Sequence, residues 1–275
     1  MAPFRASAGF TESWKHLRLE IDEGVATITL DRPEKLNALT FDTYADLRDV
    51  LTELPHREEV RSVVITGSGR GFCSGGDVHE IIGALREADQ RRLLEFTRMT
   101  GAVVRELREC PLPVVAAVNG VAAGAGAVIA LAADLRLLAR SARFAFLFTR
   151  VGLAGADMGS AYLLPRLVGL GRATELLLLG EDVPAERALE IGLASQVVDD
   201  AELAGAAVAL AARLASGPSL AYSVTKTLLS REQDMSLSAA LEVEAIAQAL
   251  LLRGADHAEF YAAFTEGRDP SWSGR

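Results

Sequence analysis

Asp157 is isolated in an apolar stretch, SARFAFLFTRVGLAGADMGSAYLLPR (residues 141–166), and from Cys110 to Ala156 the only other acid is Asp134. A carboxylate in such surroundings is costly unless it is paired or used. Used, it would carry a proton, because an apolar setting raises its proton affinity towards neutral pH, or it would attack an electrophile. Unused, it would cap a turn, for which GADMG is suitable chemistry. Two glycine-rich segments offer a second kind of chemistry. Gly71-Phe72-Cys73-Ser74-Gly75-Gly76-Asp77 and Asn119-Gly120-Val121-Ala122-Ala123-Gly124-Ala125-Gly126 each follow an apolar strand-like run and open a helix. Helix N-termini present unpaired N–H groups and partial positive charge. Two such ends aimed at one point make an oxyanion hole from backbone alone. Taken singly, each is equally a tight strand-to-helix turn.

Other candidates fall away on spacing. GFCSGG is not a GxSxG elbow, so Ser74 is not read as a nucleophile. Cys73 has no histidine in a recognisable partner relation and reads as a small loop residue. The two cysteines show no metal-ligand spacing, so no metal is expected. Asp77 is a good N-cap, with Glu80 where a capping-box acid belongs.

The elements that must position these groups are of both kinds. HLRLEIDEGVATITLDRP reads as a hairpin, residues 40–54 as a helix with Phe41, Tyr44, Leu47, Val50 and Leu51 on one face, and residues 60–67 and 111–120 as buried strands. A small-residue helix follows the second glycine loop, then strands LRLLA and RFAFLF. From about residue 202 the pattern is helical throughout. This is an α/β chain with a ββα flavour, residues 1–201, and a helical appendage, residues 202–275.

Composition bounds the partners. The chain has 275 residues, half of them hydrophobic, and a net charge of −9. No basic cluster exceeds Arg91-Arg92, which argues against nucleic acid. The opening MAPFRASAGFTESWKH lacks a secretory h-region. The apolar run 111–133 is interrupted by Pro111, Pro113, Asn119 and Gly120, so no membrane span is expected and a cytoplasmic setting is.

At DRPEKLNAL (31–39), GSGRGFCSGGDVHEI (67–81), PLPVVAAVNGVAAGAGAVIALAADLRL (111–137), LLPRLVGLGRATELLLLGEDVPAERALEIGLASQVV (163–198) and FYAAFTEGRDP (260–270) the chain resembles the crotonase (enoyl-CoA hydratase/isomerase) superfamily. The resemblance implies a spiral of ββα turns with a C-terminal trimerisation region, a homotrimer or dimer of trimers, and an acyl-CoA thioester as partner. No cofactor beyond the substrate's coenzyme A is implied. By position, the N–H groups of Gly76 and Ala125 polarise the thioester carbonyl. Coenzyme A lies along Lys35, Leu36, Asn37 and Ala38 and the loop Ser74, Gly75, Gly76 and Asp77. Phe264 packs near the nucleotide of another subunit, and Arg268 substitutes for a phosphate-contacting lysine. His79 is either a phosphate neighbour or a solvated helix residue.

The departures redirect the chemistry. Hydratases of this family use two glutamates, and here those positions are Val128 and Phe148, so their acid/base pair is missing. Asp157 stands where dienoyl-CoA isomerases carry a proton-shuttling aspartate and 4-chlorobenzoyl-CoA dehalogenases a nucleophilic one. Asp134 resembles a structural acid of the family. Phe144, Phe146 and Phe148 would share one side of a strand, as core or, at Phe148, as the wall of an acyl pocket for a bulky or aromatic group. The reading is an enoyl-CoA hydratase/isomerase-like enzyme with Asp157 as its lone acid/base. The alternatives are an aryl-CoA hydrolase or dehalogenase with Asp157 as nucleophile, and a non-catalytic CoA-binding homologue.

Overall fold

The computed structural model describes residues 13–274. Residues 1–12, part of the stretch read as lacking a secretory h-region, lie outside it, as does Arg275. The strands are β1 (Leu17–Asp22), β2 (Val25–Leu30), β3 (Ser62–Gly67), β4 (Gly71–Cys73), β5 (Val114–Val118), β6 (Val121–Ala123), β7 (Leu135–Ala139), β8 (Arg143–Ala145), β9 (Asp182–Pro184) and β10 (Gln196–Val198). The helices are α1 (Phe41–Glu53), α2 (Gly83–Arg86), α3 (Gln90–Glu109), α4 (Ala125–Ala132), α5 (Ser160–Val168), α6 (Leu170–Leu179), α7 (Ala185–Glu190), α8 (Leu203–Ala215), α9 (Ser219–Arg231), α10 (Leu237–Leu251) and α11 (Ala255–Glu266).

Two sheets form. The larger runs β1-β2-β3-β5-β7-β10, with β1 antiparallel to β2 and the remaining pairs parallel. The smaller runs β4-β6-β8-β9. Successive strands β3–β4, β5–β6 and β7–β8 each step from the first sheet to the second. The ββα repeat is therefore a corner turned three times. Strand β5, VVAAV, is buried along its whole length, as a parallel strand covered on both faces must be.

The short strands β4 and β6 sit inside the glycine segments that read as loops. Each is three residues long, too short for an alternating pattern to show. The RFAFLF strand is also shorter than its sequence suggests. It ends at Ala145, and Phe148 precedes a single 3₁₀ turn over Thr149–Val151. Phe148 therefore does not share a strand face with Phe144 and Phe146, whose rings stack at 6.4 Å in the core. The apolar run 111–133 is divided among β5, β6 and α4. Among the described residues no single helix is long and apolar enough to cross a membrane.

The C-terminal helices attach in two ways. Helix α8 lies on the larger sheet: its buried Ala207, Ala211 and Ala215 allow close approach, and the Ser62 hydroxyl donates to the Ala211 carbonyl at 2.9 Å. Helix α9 is fixed by one buried cation. Lys226 Nζ donates to the carbonyls of Leu107 at 3.1 Å and Leu112 at 2.9 Å and pairs with Asp134 at 2.7 Å. Asp134 also accepts from the Val114 N–H at 2.8 Å, so this acid is structural. Helix α10 leaves Leu237, Leu241, Ile246 and Leu250 exposed.

Removing one partner of an enclosed ion pair leaves the other without compensation. Lys226→Met keeps the alkyl stem, strands two carbonyls, and leaves Asp134 with only the Val114 N–H and Arg108 at 3.9 Å. It is expected to lower unfolding stability by about 2–4 kcal/mol, read as a shift in the urea midpoint.

Candidate active site

The site is built where two backbone turns touch. Residues 36–39 run beside residues 74–77 as an added short strand. Ser74 N–H donates to the Leu36 carbonyl at 2.9 Å, Leu39 N–H to Gly75 at 2.8 Å and Asp77 N–H to Leu39 at 2.8 Å. In this parallel bridge the residues flanking Gly76 take the hydrogen bonds. The Gly76 N–H accordingly points away from residue 39 and finds no acceptor among the described residues.

The second turn supplies its counterpart. Ala125 is the first residue of α4, so its N–H has no intrahelical acceptor, and no other described residue provides one. The two turns are in contact. Gly75, at φ +98°, presents a face on which a Cβ would lie 3.1 Å from the Ala123 carbonyl oxygen and 3.7 Å from the Ala125 nitrogen. Gly126 brings α4 onto β4, since a Cβ there would fall 2.3 Å from the Cys73 carbonyl oxygen.

Side chains hold this backbone in place. Asn37 is 1% exposed, and its amide nitrogen donates to the carbonyls of Ser68 at 2.9 Å and Gly71 at 2.8 Å. Its oxygen accepts from the Arg32 N–H at 2.9 Å and the Ser68 hydroxyl at 3.3 Å. This lets Leu36 and Asn37 keep left-handed conformations, at φ +50° and +56°. Asp77 accepts from the N–H groups of Glu80 and His79 and from Arg32 Nη1 at 2.8 Å, interactions that hold its carboxyl below the usual range. Glu80 does not close a capping box. Its carboxylate goes to Arg32 Nη2 at 2.7 Å, because the Asp77 N–H is already taken by Leu39. The capping box of this region lies instead at Thr40 and Thr43.

Asp157 stands apart from such pairings. Its carboxylate accepts only from the next N–H, Met158, at 2.9 Å, and no cation among the described residues is within ion-pair distance. It does not cap α5. That helix begins after Gly159, and the Ser160 hydroxyl closes the turn by accepting from the Asp157 N–H and donating to the Gly155 carbonyl at 2.6 Å. Burial pushes the Asp157 carboxyl up, and the Met158 N–H only partly opposes this. Met158 is held at φ +50°, a strained conformation for a side-chain-bearing residue, directly beside the acid.

The remaining sequence candidates divide. Ser74 bonds the Lys35 carbonyl at 3.2 Å, and Lys35, Leu36 and Ala38 line the same edge. Cys73 is enclosed, and burial pushes its thiol up to about 12, which suits no nucleophile. Val128 is 0% exposed and Phe148 7%, so Val128 offers no accessible surface and Phe148 little. Phe264 stands 76% exposed on α11, with its ring 6.1 Å from that of Phe260. Arg268 is gripped by both oxygens of Glu259 and by Glu266, within its own chain. His79 is exposed.

Sequence reasoning placed Tyr44 only on the buried face of α1. Its hydroxyl lies 3.7 Å from where a Cβ on Gly76 would sit, and the Asp157 charge is among the influences that raise its pKa, after burial and Cys73. One hydroxyl-bearing residue among the purely hydrocarbon side chains of a helix face was the available signal.

Comparison with known proteins follows the same lines. A family profile, Enoyl-CoA hydratase/isomerase, matches residues 20–275. The 1,2-epoxyphenylacetyl-CoA isomerase of Escherichia coli K12 is 38% identical over 260 residues, covering 93% of this chain and 97% of that one. A "probable enoyl-CoA hydratase" of Rhodobacter capsulatus is 43% identical, covering 96% and 100%. The crystal structure of a "putative enoyl-CoA hydratase" from Streptomyces coelicolor A3(2) superposes with a TM-score of 0.97 at 62% identity, covering 100% of both chains. The chain belongs to the enoyl-CoA hydratase/isomerase family.

The Asn37 amide is the brace of this site. Asn37→Ala leaves the Arg32 N–H and the Ser68 carbonyl without their Asn37 partner and the Gly71 carbonyl with only the Asn119 amide, at 3.2 Å. It is expected to cost about 2–4 kcal/mol of stability, measured by urea unfolding.

Proposed function

We propose that this member of the family rearranges an acyl-CoA thioester by proton transfer, with Asp157 as its single acid/base. The observation that carries the reading is the isolation of Asp157: a half-buried carboxylate without a cation or a capping role, on a strained turn. The unpaired N–H groups of Gly76 and Ala125 support a second role. They can receive the thioester oxygen as negative charge develops on it, which lowers the barrier to forming an enolate.

The steps follow from those groups. The two N–H donors hold the carbonyl oxygen. Asp157, as carboxylate, accepts a proton from carbon, and the electron pair left behind delocalises onto the thioester oxygen. Asp157 then returns the proton to another atom of the acyl chain, so that no water is added overall. A hydratase that positions water between two acids needs a second carboxylate, and Val128 and Phe148 supply none. Isomerisation is therefore favoured over hydration. The relative from Escherichia coli, an isomerase by name, points the same way.

Several wider features belong to this proposal. Coenzyme A lies along residues 35–38 and 74–77, and no cofactor other than the substrate's own coenzyme A takes part. Phe148, 7% exposed, contributes at most a small apolar surface to an acyl wall. The exposed apolar residues of α10 support assembly as a homotrimer or a dimer of trimers, in which Phe264 and Arg268 would reach a neighbour's nucleotide. The two buried free thiols suit a reducing, cytoplasmic setting, and the acidic balance speaks against nucleic acid.

Asp157→Asn is expected to lower turnover of enoyl- and dienoyl-CoA esters by about 10²–10⁴-fold, followed by chromatography of the thioesters with mass detection. Wild-type kcat/KM should rise with pH through the elevated Asp157 pKa, and the variant should lack that inflection. Stability has the opposite sign. A carboxyl whose folded pKa is raised makes the fold less stable as pH climbs from its unfolded value through the folded one. The variant should therefore unfold at an equal or higher temperature at pH 7, in a scan run beside the kinetics. An ester formed on Asp157 during a single turnover would instead favour the nucleophilic, hydrolytic reading.

A further inference from the structure

Tyr44 combines features that ordinary core packing does not require. The residue is 3% exposed, on the face of α1 turned towards α3, and its ring meets Phe96 edge-to-face at 5.8 Å. Phe96 also meets Phe41 edge-to-face at 5.4 Å, so the phenol belongs to a cluster of three aromatic rings. Its hydroxyl has no hydrogen-bond partner among the described residues, although buried hydroxyls normally find one. The hydroxyl is not sealed in either. Among the described residues, Tyr44 Oη is not one of the fully enclosed side-chain polar atoms that lack a partner. The phenol therefore opens onto accessible space, and the nearest landmark is Gly76, at 3.7 Å from a notional Cβ.

The chemistry of the group is fixed by its surroundings. Burial, with Cys73 and Asp157 adding to it, holds the phenol well above its usual pKa, so it stays neutral and available as a donor. A neutral donor next to Gly76, within the electrostatic reach of Asp157, has no use for a purely hydrocarbon acyl chain. Such a chain would cover the hydroxyl and leave it unpaired, at a cost of about 1–3 kcal/mol. An oxygen on the acyl chain would remove that cost. Sites that present a buried hydrogen-bonding group discriminate strongly against ligands lacking the matching atom.

We infer that Tyr44 is a specificity-determining residue, whose hydroxyl binds an oxygen substituent near the thioester of an acyl-CoA substrate. The inference rests on the acyl-CoA reading above and narrows it to oxygenated acyl groups, such as hydroxy- or oxoacyl thioesters, over plain alkyl or alkenyl ones.

The test compares binding of butyryl-CoA with racemic 2- and 3-hydroxybutyryl-CoA by titration calorimetry, on wild type and Tyr44→Phe. Wild type is expected to hold at least one hydroxyacyl ester about tenfold more tightly than butyryl-CoA, the equivalent of one hydrogen bond. Tyr44→Phe should erase that preference while leaving butyryl-CoA affinity unchanged or improved. The variant removes only an unpartnered oxygen, so its unfolding temperature should equal or exceed that of wild type. Equal affinity of wild type for all three esters would overturn the assignment and leave the acyl-CoA reading intact. A preference that survives in Tyr44→Phe would do the same. Failure of wild type to bind any of the three would overturn both.

Discussion

The amide of Asn37 makes four hydrogen bonds to groups from two chain segments, and the geometry of the candidate site depends on them. A side-chain amide has two donors and an acceptor oxygen, and here all are engaged in a place where water cannot substitute. This one group fixes the end of β2 to the corner between β3 and β4. It also holds the backbone of residues 36–39 in the register that turns the Gly76 N–H away from its neighbours. Unpaired backbone donors are unstable arrangements, because almost any rearrangement would satisfy them. Their persistence at Gly76 and Ala125 requires a frame stiffer than the tendency to relax, and the Asn37 bonds, the Asp77 cap and the close packing of Gly126 on Cys73 together supply it.

Charge is distributed by the same logic. Acids that hold the frame are paired: Asp77 and Glu80 with Arg32, Asp134 with Lys226. Asp157 has neither a partner nor a cap to make, and its elevated pKa follows from that isolation. A paired carboxylate in the same place would be a poor proton acceptor, because the cation would hold it ionised. The separation between the paired acids and the isolated one is thus one of environment, since all of these groups are chemically alike.

Much of this was legible before any coordinates. The hairpin, α1, the buried strands and α4 follow from alternation, helical spacing and breakers, and the two glycine segments identified themselves by what flanks them. The isolation of Asp157 was visible as a lone acid in an apolar run. The rest depended on information that local sequence does not hold. Strands of three residues, such as β4 and β6, carry no period. The end of β8 at Ala145 is set by the corner it must turn, and so Phe148 left the face that alternation assigned to it. Glu80 lost its capping role because the Asp77 N–H was claimed by Leu39, a partner distant in sequence. Tyr44 read as core because burial and placement beside a site look identical on a helical wheel.

The division of labour between backbone and side chain has a consequence for how such a molecule changes over generations. A main-chain N–H is retained by every substitution except proline, which is why alanine can stand at position 125 without loss of the donor. The two unpaired backbone donors are therefore nearly invisible to mutation, while the isolated carboxylate depends on a single codon. A chain built this way can lose a carboxylate at one position and gain it at another while its backbone donors stay unchanged. Overall similarity then reports the backbone, and the position of the acid must be read separately.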